Sequence, residues 1–114
     1  MSPVQFYKCL ADDTRLRCLL LIQRDGELCV CELTEALNVI QPKISRHLAQ
    51  LKKCKLLLDR KQGQWVFYRL NPALEDWKKS VLNTTQNNQQ DFLLSNSKRL
   101  SNMGDRPERV KTCC

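Results

Sequence analysis

The run QPKISRHLAQL, Gln41 to Leu51, constrains this chain more than any other stretch. Ile44, Leu48 and Leu51 recur at the spacing that stacks side chains on one face of an α-helix. The opposite side carries Lys43, Ser45, Arg46, His47 and Gln50, all hydrogen-bonding groups and none acidic. Pro42 suits a first helical turn, where a missing N–H leaves no intrahelical bond unmade. Just upstream, Leu33, Ala36 and Leu37 give an inward side to a short helix that starts near Cys31 or Glu32. Only Asn38-Val39-Ile40 separates the two, and helices so tightly joined form a helix-turn-helix. Alone, the polar face of the second helix reads as ordinary solvated surface. With this neighbour and the charge described below, it can enter a DNA major groove.

The rest of the chain supplies a frame for that pair. Pro3 to Leu10 is a short apolar helix, and Asp12 or Asp13 can cap a second one with Leu16, Leu19, Leu20 and Cys18 inward. Asp25-Gly26 stops it, and Glu27 to Cys31 is an extended lead-in to the third helix. Leu56 to Lys61 and Gln64 to Leu70 read as strands around the Gln62-Gly63 turn, because Val66, Tyr68 and Leu70 alternate with Trp65, Phe67 and Arg69. Asn71-Pro72 is expected to open a last helix through Trp77, Val81 and Leu82. The expected fold is mainly α with a small β-hairpin, a winged helix-turn-helix. Residues 1–85 form its DNA-binding and dimerisation domain, and 86–114 a weakly docked or disordered tail ending in a cysteine pair. The terminal apolar helices lack an internal partner, which a homodimer would provide.

Charge points to the partner. Eight basic residues and one acidic residue lie between Gln41 and Arg69, so the whole net charge of +7 sits in about one quarter of the sequence. Such a localised surplus is a nucleic-acid footprint. A membrane surface would attract it too, but no apolar face fit for insertion lies beside it. No stretch approaches the roughly 20 apolar residues of a membrane span, and none has the form of a signal peptide, which predicts a cytoplasmic protein. The seven cysteines then read as reduced thiols, and their odd number does not suit a closed disulfide framework. Without a phosphate loop, nucleophile elbow or H-E-x-x-H, the sequence does not suggest an enzyme.

Four blocks, LADDTRLRCLLLI (Leu10 to Ile22), ELCVCEL (Glu27 to Leu33), QPKISRHLAQL and LLDRKQGQWVFYRL (Leu57 to Leu70), resemble the ArsR/SmtB metalloregulators in the same order. The likeness runs from about Phe6 to Pro72 and is greatest to arsenical-resistance operon repressors with an ELCVCDL motif. It implies a homodimer that binds double-stranded operator DNA without a cofactor and releases it when As(III) or Sb(III) binds cysteine thiolates. It also places Lys43, Ser45, Arg46 and His47 on the exposed face of the recognition helix, with Gln41 at its start. Arg46 suits base reading, since a guanidinium can bond two acceptors on a guanine edge. Arg60 and Lys61 on the wing would hold the DNA backbone. His47, the sole histidine, suits a DNA or packing role better than metal ligation.

Cys29 and Cys31 carry the sensing expectation, although outside the family block a lone C-x-C is weak evidence of any metal. Their spacing brings two side chains together on an extended segment but sets them about 200° apart on an α-helix. Chelation is therefore expected to unwind the first turn of the third helix and disturb its neighbour. The helix N-terminus is expected to lower the thiol pKa. The family's C-x-C-x-x-C is broken by Thr34, which leaves the third donor to an exogenous ligand, a subunit-bridging site or a distal cysteine. Cys113 and Cys114 are the distal candidates. Cys9, Cys18 and Cys54 read as packing residues. Sensing of cadmium or lead, or thiol redox regulation, are the alternative functions.

Overall fold

The second helix holds the molecule together. In α2 (Asp13–Asp25) Cys18, Leu19, Leu20, Leu21 and Ile22 are all fully buried, so this helix is apolar all round through its middle and must be surrounded there. Asp12 caps it by accepting the Arg15 N–H at 2.9 Å, and Gly26, at φ 90°, ends it where a side chain would be strained. The structure, a computed structural model, describes residues 1–105 and Arg109. Around α2 lie α1 (Pro3–Leu10), β1 (Glu27–Cys29), α3 (Val30–Leu37), α4 (Gln41–Lys53), β2 (Leu57–Gln62), β3 (Trp65–Leu70), α5 (Asp76–Asn88), a 3-10 turn (Gln90–Leu93) and α6 (Leu94–Asn102).

The helix-turn-helix is α3 and α4, closed by Asn38 in the left-handed region at φ 55°. Asparagine is the residue after glycine that best tolerates this helix-ending conformation. Leu33, Ala36 and Leu37 from α3 meet the same core as Ile44, Leu48 and Leu51 from α4. The expected lead-in strand joins the hairpin, giving an antiparallel sheet of order β1-β3-β2, with Leu28 opposite Tyr68 and Cys29 opposite Phe67. The fold is thus a winged helix-turn-helix with a three-stranded sheet.

Two expectations about the C-terminal half are corrected. The last long helix begins at Asp76, not at Pro72. Asn71 instead caps a turn: its Oδ1 accepts the Ala73 N–H at 2.9 Å, while its Nδ2 donates to the Lys55 carbonyl at 3.0 Å. Tied back to the loop after α4, the chain must turn before it can become helical.

The break expected at residue 85 is also absent, since α5 runs through it to Asn88. The segment after it, expected to dock weakly, packs on α3, and Leu93 and Leu100 join the core. Buried Asn96 donates to the Ala36 carbonyl at 3.0 Å and accepts from Arg17 Nη1 at 2.9 Å. The Arg17 guanidinium also bonds the Phe92 carbonyl and lies 3.9 Å over the Phe92 ring. A polar-looking helix is held here by a few buried hydrogen bonds rather than by a broad apolar stripe. Cys113 and Cys114 lie outside the described residues.

The cysteines divide in a way composition does not reveal. Cys18 is a packing residue, its thiol pushed up to about 12 by burial. Cys9 and Cys54, also expected to be packing thiols, are joined in a disulfide.

Candidate nucleic-acid interface and thiol site

On α4 the structure exposes Gln41, Lys43 and Arg46 and leaves Ser45 half-buried. The first turn of α4 starts from its cap, where the Lys43 and Ile44 N–H groups both donate to the Ile40 carbonyl. His47 is not among the exposed residues. It is only 8% exposed, with Nε2 3.6 Å from Asp12 Oδ1, and neither ring nitrogen has a hydrogen-bond partner among the described residues. The reason was legible in the spacing: His47 falls three residues after Ile44 and four before Leu51, on the buried face.

Burial lowers the His47 pKa from its ordinary 6.5, against the opposing pull of Asp12. The folded state therefore binds this proton less readily than the unfolded chain. The stability linked to His47 is complete above the unfolded value and is lost as pH falls below 6.5 toward the folded one. With one histidine in the chain, the imidazole proton signal in an NMR titration reads this directly. Its midpoint should lie below 6.5, and a midpoint at or above that value would contradict the burial argument.

The wing differs from expectation in one of its two cations. Arg60 does not project freely: it makes a bidentate ion pair with Glu27, at 2.6 and 2.7 Å, and its guanidinium lies 4.8 Å from the Phe67 ring centre. That pairing ties β2 to β1 across the sheet. Lys61 is exposed next to the hairpin turn, where Gly63 at φ 62° supplies the left-handed residue that a two-residue turn requires.

The Cys29 and Cys31 sulfurs sit between wing and helix-turn-helix, Cys29 as a free thiol and Cys31 disulfide-bonded. Cys29 is the last residue of β1 and the N-cap of α3, with extended backbone at φ −95° and ψ 168°, and Cys31 is the second residue of the helix. This half-strand, half-helix junction sets the sulfurs 3.4 Å apart, with Cys29 outside the regular helix as the spacing requires. Glu32, fully buried, accepts the Cys29 N–H on Oε1 at 2.9 Å and pairs through Oε2 with Arg109 at 3.2 Å. Cys29 packs with Phe67, and Cys31 and Trp65 lie against them. The Cys29 thiol is held above its ordinary range by burial, which outweighs a hydrogen bond from the Glu32 N–H. The lowering expected from the helix N-terminus is therefore overridden.

A model for "Bacterial regulatory protein, arsR family" matches residues 12–57. The chain is 51% identical over 113 residues to the arsenic resistance transcriptional regulator ArsR1 of Pseudomonas putida, a match covering 99% of this chain and 88% of that protein. The chain belongs to the ArsR family. The arsenical resistance operon repressor of Escherichia coli is 55% identical over 82 residues, 72% of this chain and 70% of that one. Among solved structures, the AntR antimony-specific transcriptional repressor aligns with a TM-score of 0.64 and 28% identity, covering 77% of each chain.

As an ArsR-family protein the chain is a DNA-binding transcriptional regulator rather than an enzyme. Among its described residues no helix is long and apolar enough to cross a membrane. Two surface pockets flank Cys29 and Cys31 of this ArsR-family regulator. One, of about 510 Å³, is lined by Cys31, Thr34 and Arg99. The other, of about 470 Å³, is lined by Cys29, Gln64 and Trp65. Gln41, the first residue of the recognition helix, lines both. No group of three His, Cys, Asp or Glu side chains able to hold a metal occurs among the described residues.

Sequence reasoning passed over Arg15. Its Nε donates to the Cys9 carbonyl at 2.6 Å, Nη2 to the Lys8 carbonyl at 3.0 Å and Nη1 to Gln50 Oε1 at 2.5 Å. One side chain thereby joins α1, α2 and the recognition helix. Its place beside the N-cap Asp12 gave no local signal of so long a reach.

Proposed function

We propose that this ArsR-family regulator is a metalloid-responsive repressor, binding operator DNA through α4 and the wing and releasing it when As(III) or Sb(III) is captured by Cys29 and Cys31. The observation that carries this reading is the 3.4 Å separation of the two sulfurs at the start of α3. Metal–sulfur bonds of about 2.3 Å spanning that separation would meet at roughly 95°, nearer a pyramidal than a tetrahedral arrangement. Trivalent arsenic and antimony, with a lone pair, favour a pyramid of sulfurs. The names of the P. putida, E. coli and AntR relatives point to the same effectors.

The coupling follows from position. Cys29 pairs with β3 of the wing, Cys31 belongs to α3, and Gln41 faces both pockets around them. A third donor drawn to the ion would pull on a junction shared by wing and recognition helix, so the DNA-bound and metalloid-bound forms favour different geometries. Thr34 stands where a local third thiol would be. The donor then comes from an exogenous thiol, from a partner subunit, or from Cys113 or Cys114, which lie outside the described residues. Gln41, Lys43, Ser45, Arg46 and Lys61 are the proposed DNA contacts. Arg60 acts through its Glu27 pair to brace the wing. The working form is a homodimer, supported by exposed Val4, Tyr7 and Trp77 on neighbouring faces of α1 and α5.

The test is a titration of arsenite into the complex with labelled upstream DNA, followed by fluorescence anisotropy, with zinc and a mild oxidant as controls. Release by arsenite and not by zinc is the expected result. DNA that stays bound at every arsenite concentration leaves a DNA-binding protein without this sensor, and release by the oxidant alone makes it a redox regulator.

A further inference from the structure

Two cysteines on the other side of the recognition helix have no part in that response. Cys9 lies in the last turn of α1 and Cys54 caps the C-terminus of α4, and their disulfide spans Cα atoms 6.8 Å apart. Both residues are half-buried, so the bridge is reachable from solvent. It lies in a surface pocket of about 380 Å³ shared with Lys8, Lys53 and Lys55, and no acidic side chain is among the described residues that line it. A sulfur pair that is accessible, close enough to bond and set in a pocket that three lysines also line has features that favour thiol–disulfide exchange.

We propose that Cys9 and Cys54 form an exchange site for small anionic disulfides, of which glutathione disulfide is the probe, and that the bond fastens the end of the recognition helix to α1. The lysine ammonium groups attract the anionic reagent and favour the thiolate that attacks it. One cysteine thiolate attacks a sulfur of the incoming disulfide, whose other half leaves as a thiolate. The second cysteine thiolate then attacks the mixed disulfide and expels the remaining half. The two protein protons end on the departing thiols, so two cysteines are oxidised and one external disulfide is reduced to two thiols. The bond closes a loop between residues 45 apart in sequence, long enough to confine the unfolded chain strongly. Oxidation thereby stiffens the joint that Arg15 already braces, independently of Cys29 and Cys31.

The experiment takes the full reduced chain and treats it with glutathione disulfide or with cystamine, a cationic disulfide. Peptide mass mapping follows the bridge, and circular dichroism follows melting. Glutathione disulfide should form the Cys9–Cys54 bridge and raise Tm by more than about 10 °C. The rate should fall at least about threefold in a Lys8→Gln/Lys53→Gln double variant for glutathione disulfide but not for cystamine. In Cys54→Ser the Tm should not respond to the reagent, while arsenite release of DNA persists. Reduced variants are first matched to the reduced wild type by circular dichroism, so loss of folding is recognised as such. A different cysteine pair in the map, an unmoved Tm in the bridged protein, or equal slowing with both reagents would overturn the proposal.

Discussion

Cys29→Ser should abolish release of DNA by arsenite while leaving both fold and operator affinity intact. The argument rests on the cap position. Serine is among the best N-cap residues, and a hydroxyl at position 29 can accept the backbone N–H that the thiol now meets. The Cys29 backbone N–H keeps its bond to Glu32, since that bond involves no side-chain atom of residue 29. What is lost is a soft donor: a hydroxyl is a poor ligand for a thiophilic ion. Cys31→Ser, at a half-buried position on the second residue of the helix, should behave in the same way. In either variant the arsenite midpoint should move out of reach by more than about 100-fold, beyond the roughly 10- to 100-fold that loss of a group merely supporting a ligand costs. Anisotropy titrations against the same labelled DNA, with urea melts alongside, measure both properties. A variant that still releases DNA at the wild-type arsenite concentration would place the sensing site elsewhere. A variant that melts early would show that position 29 serves the fold first.

Arg46→Ala should weaken operator binding by about 5- to 150-fold, the roughly 1–3 kcal/mol that a bidentate guanidinium contact to a guanine edge contributes. The side chain is exposed on the outer face of α4, away from Ile44, Leu48 and Leu51, so its removal should leave the melting temperature almost unchanged. Arsenite binding, followed directly by thiol absorbance, should survive. A change in base preference at one operator position would mark Arg46 as a reader. A uniform loss across sequences, with a shallower salt dependence, would mark it as a phosphate contact. Unchanged DNA affinity would mean that a different face of α4 meets the groove.

Much of this molecule was legible because its strongest signals are local. The spacing of Ile44, Leu48 and Leu51, the short Asn38-Val39-Ile40 link and the alternation from Trp65 to Leu70 each act within a few residues, where periodicity and turn chemistry determine structure. His47 is an instructive miss, since the same spacing that buried Ile44 and Leu48 also buried it. Its polarity suggested the outer face, but helical geometry prevailed, and burial then lowered its pKa. The polar segment after Asn88 misled for the opposite reason: composition promised a loose tail, whereas Asn96 and Arg17 supply paired hydrogen bonds that hold it against α3.

By itself, then, the sequence determined that there is a winged helix-turn-helix, where the positive charge gathers along the chain and which two cysteines stand in C-x-C. Tertiary structure alone decided what those parts are joined to. Arg60 is claimed by Glu27, 33 residues away, rather than left for phosphate. Cys29 lies opposite Phe67 in the central strand, which links the C-x-C junction to the wing as well as to the helix. Cys9 meets Cys54 because α1 folds back beside the end of α4. Each of these pairings depends on where distant segments come to rest, and no local periodicity carries that information.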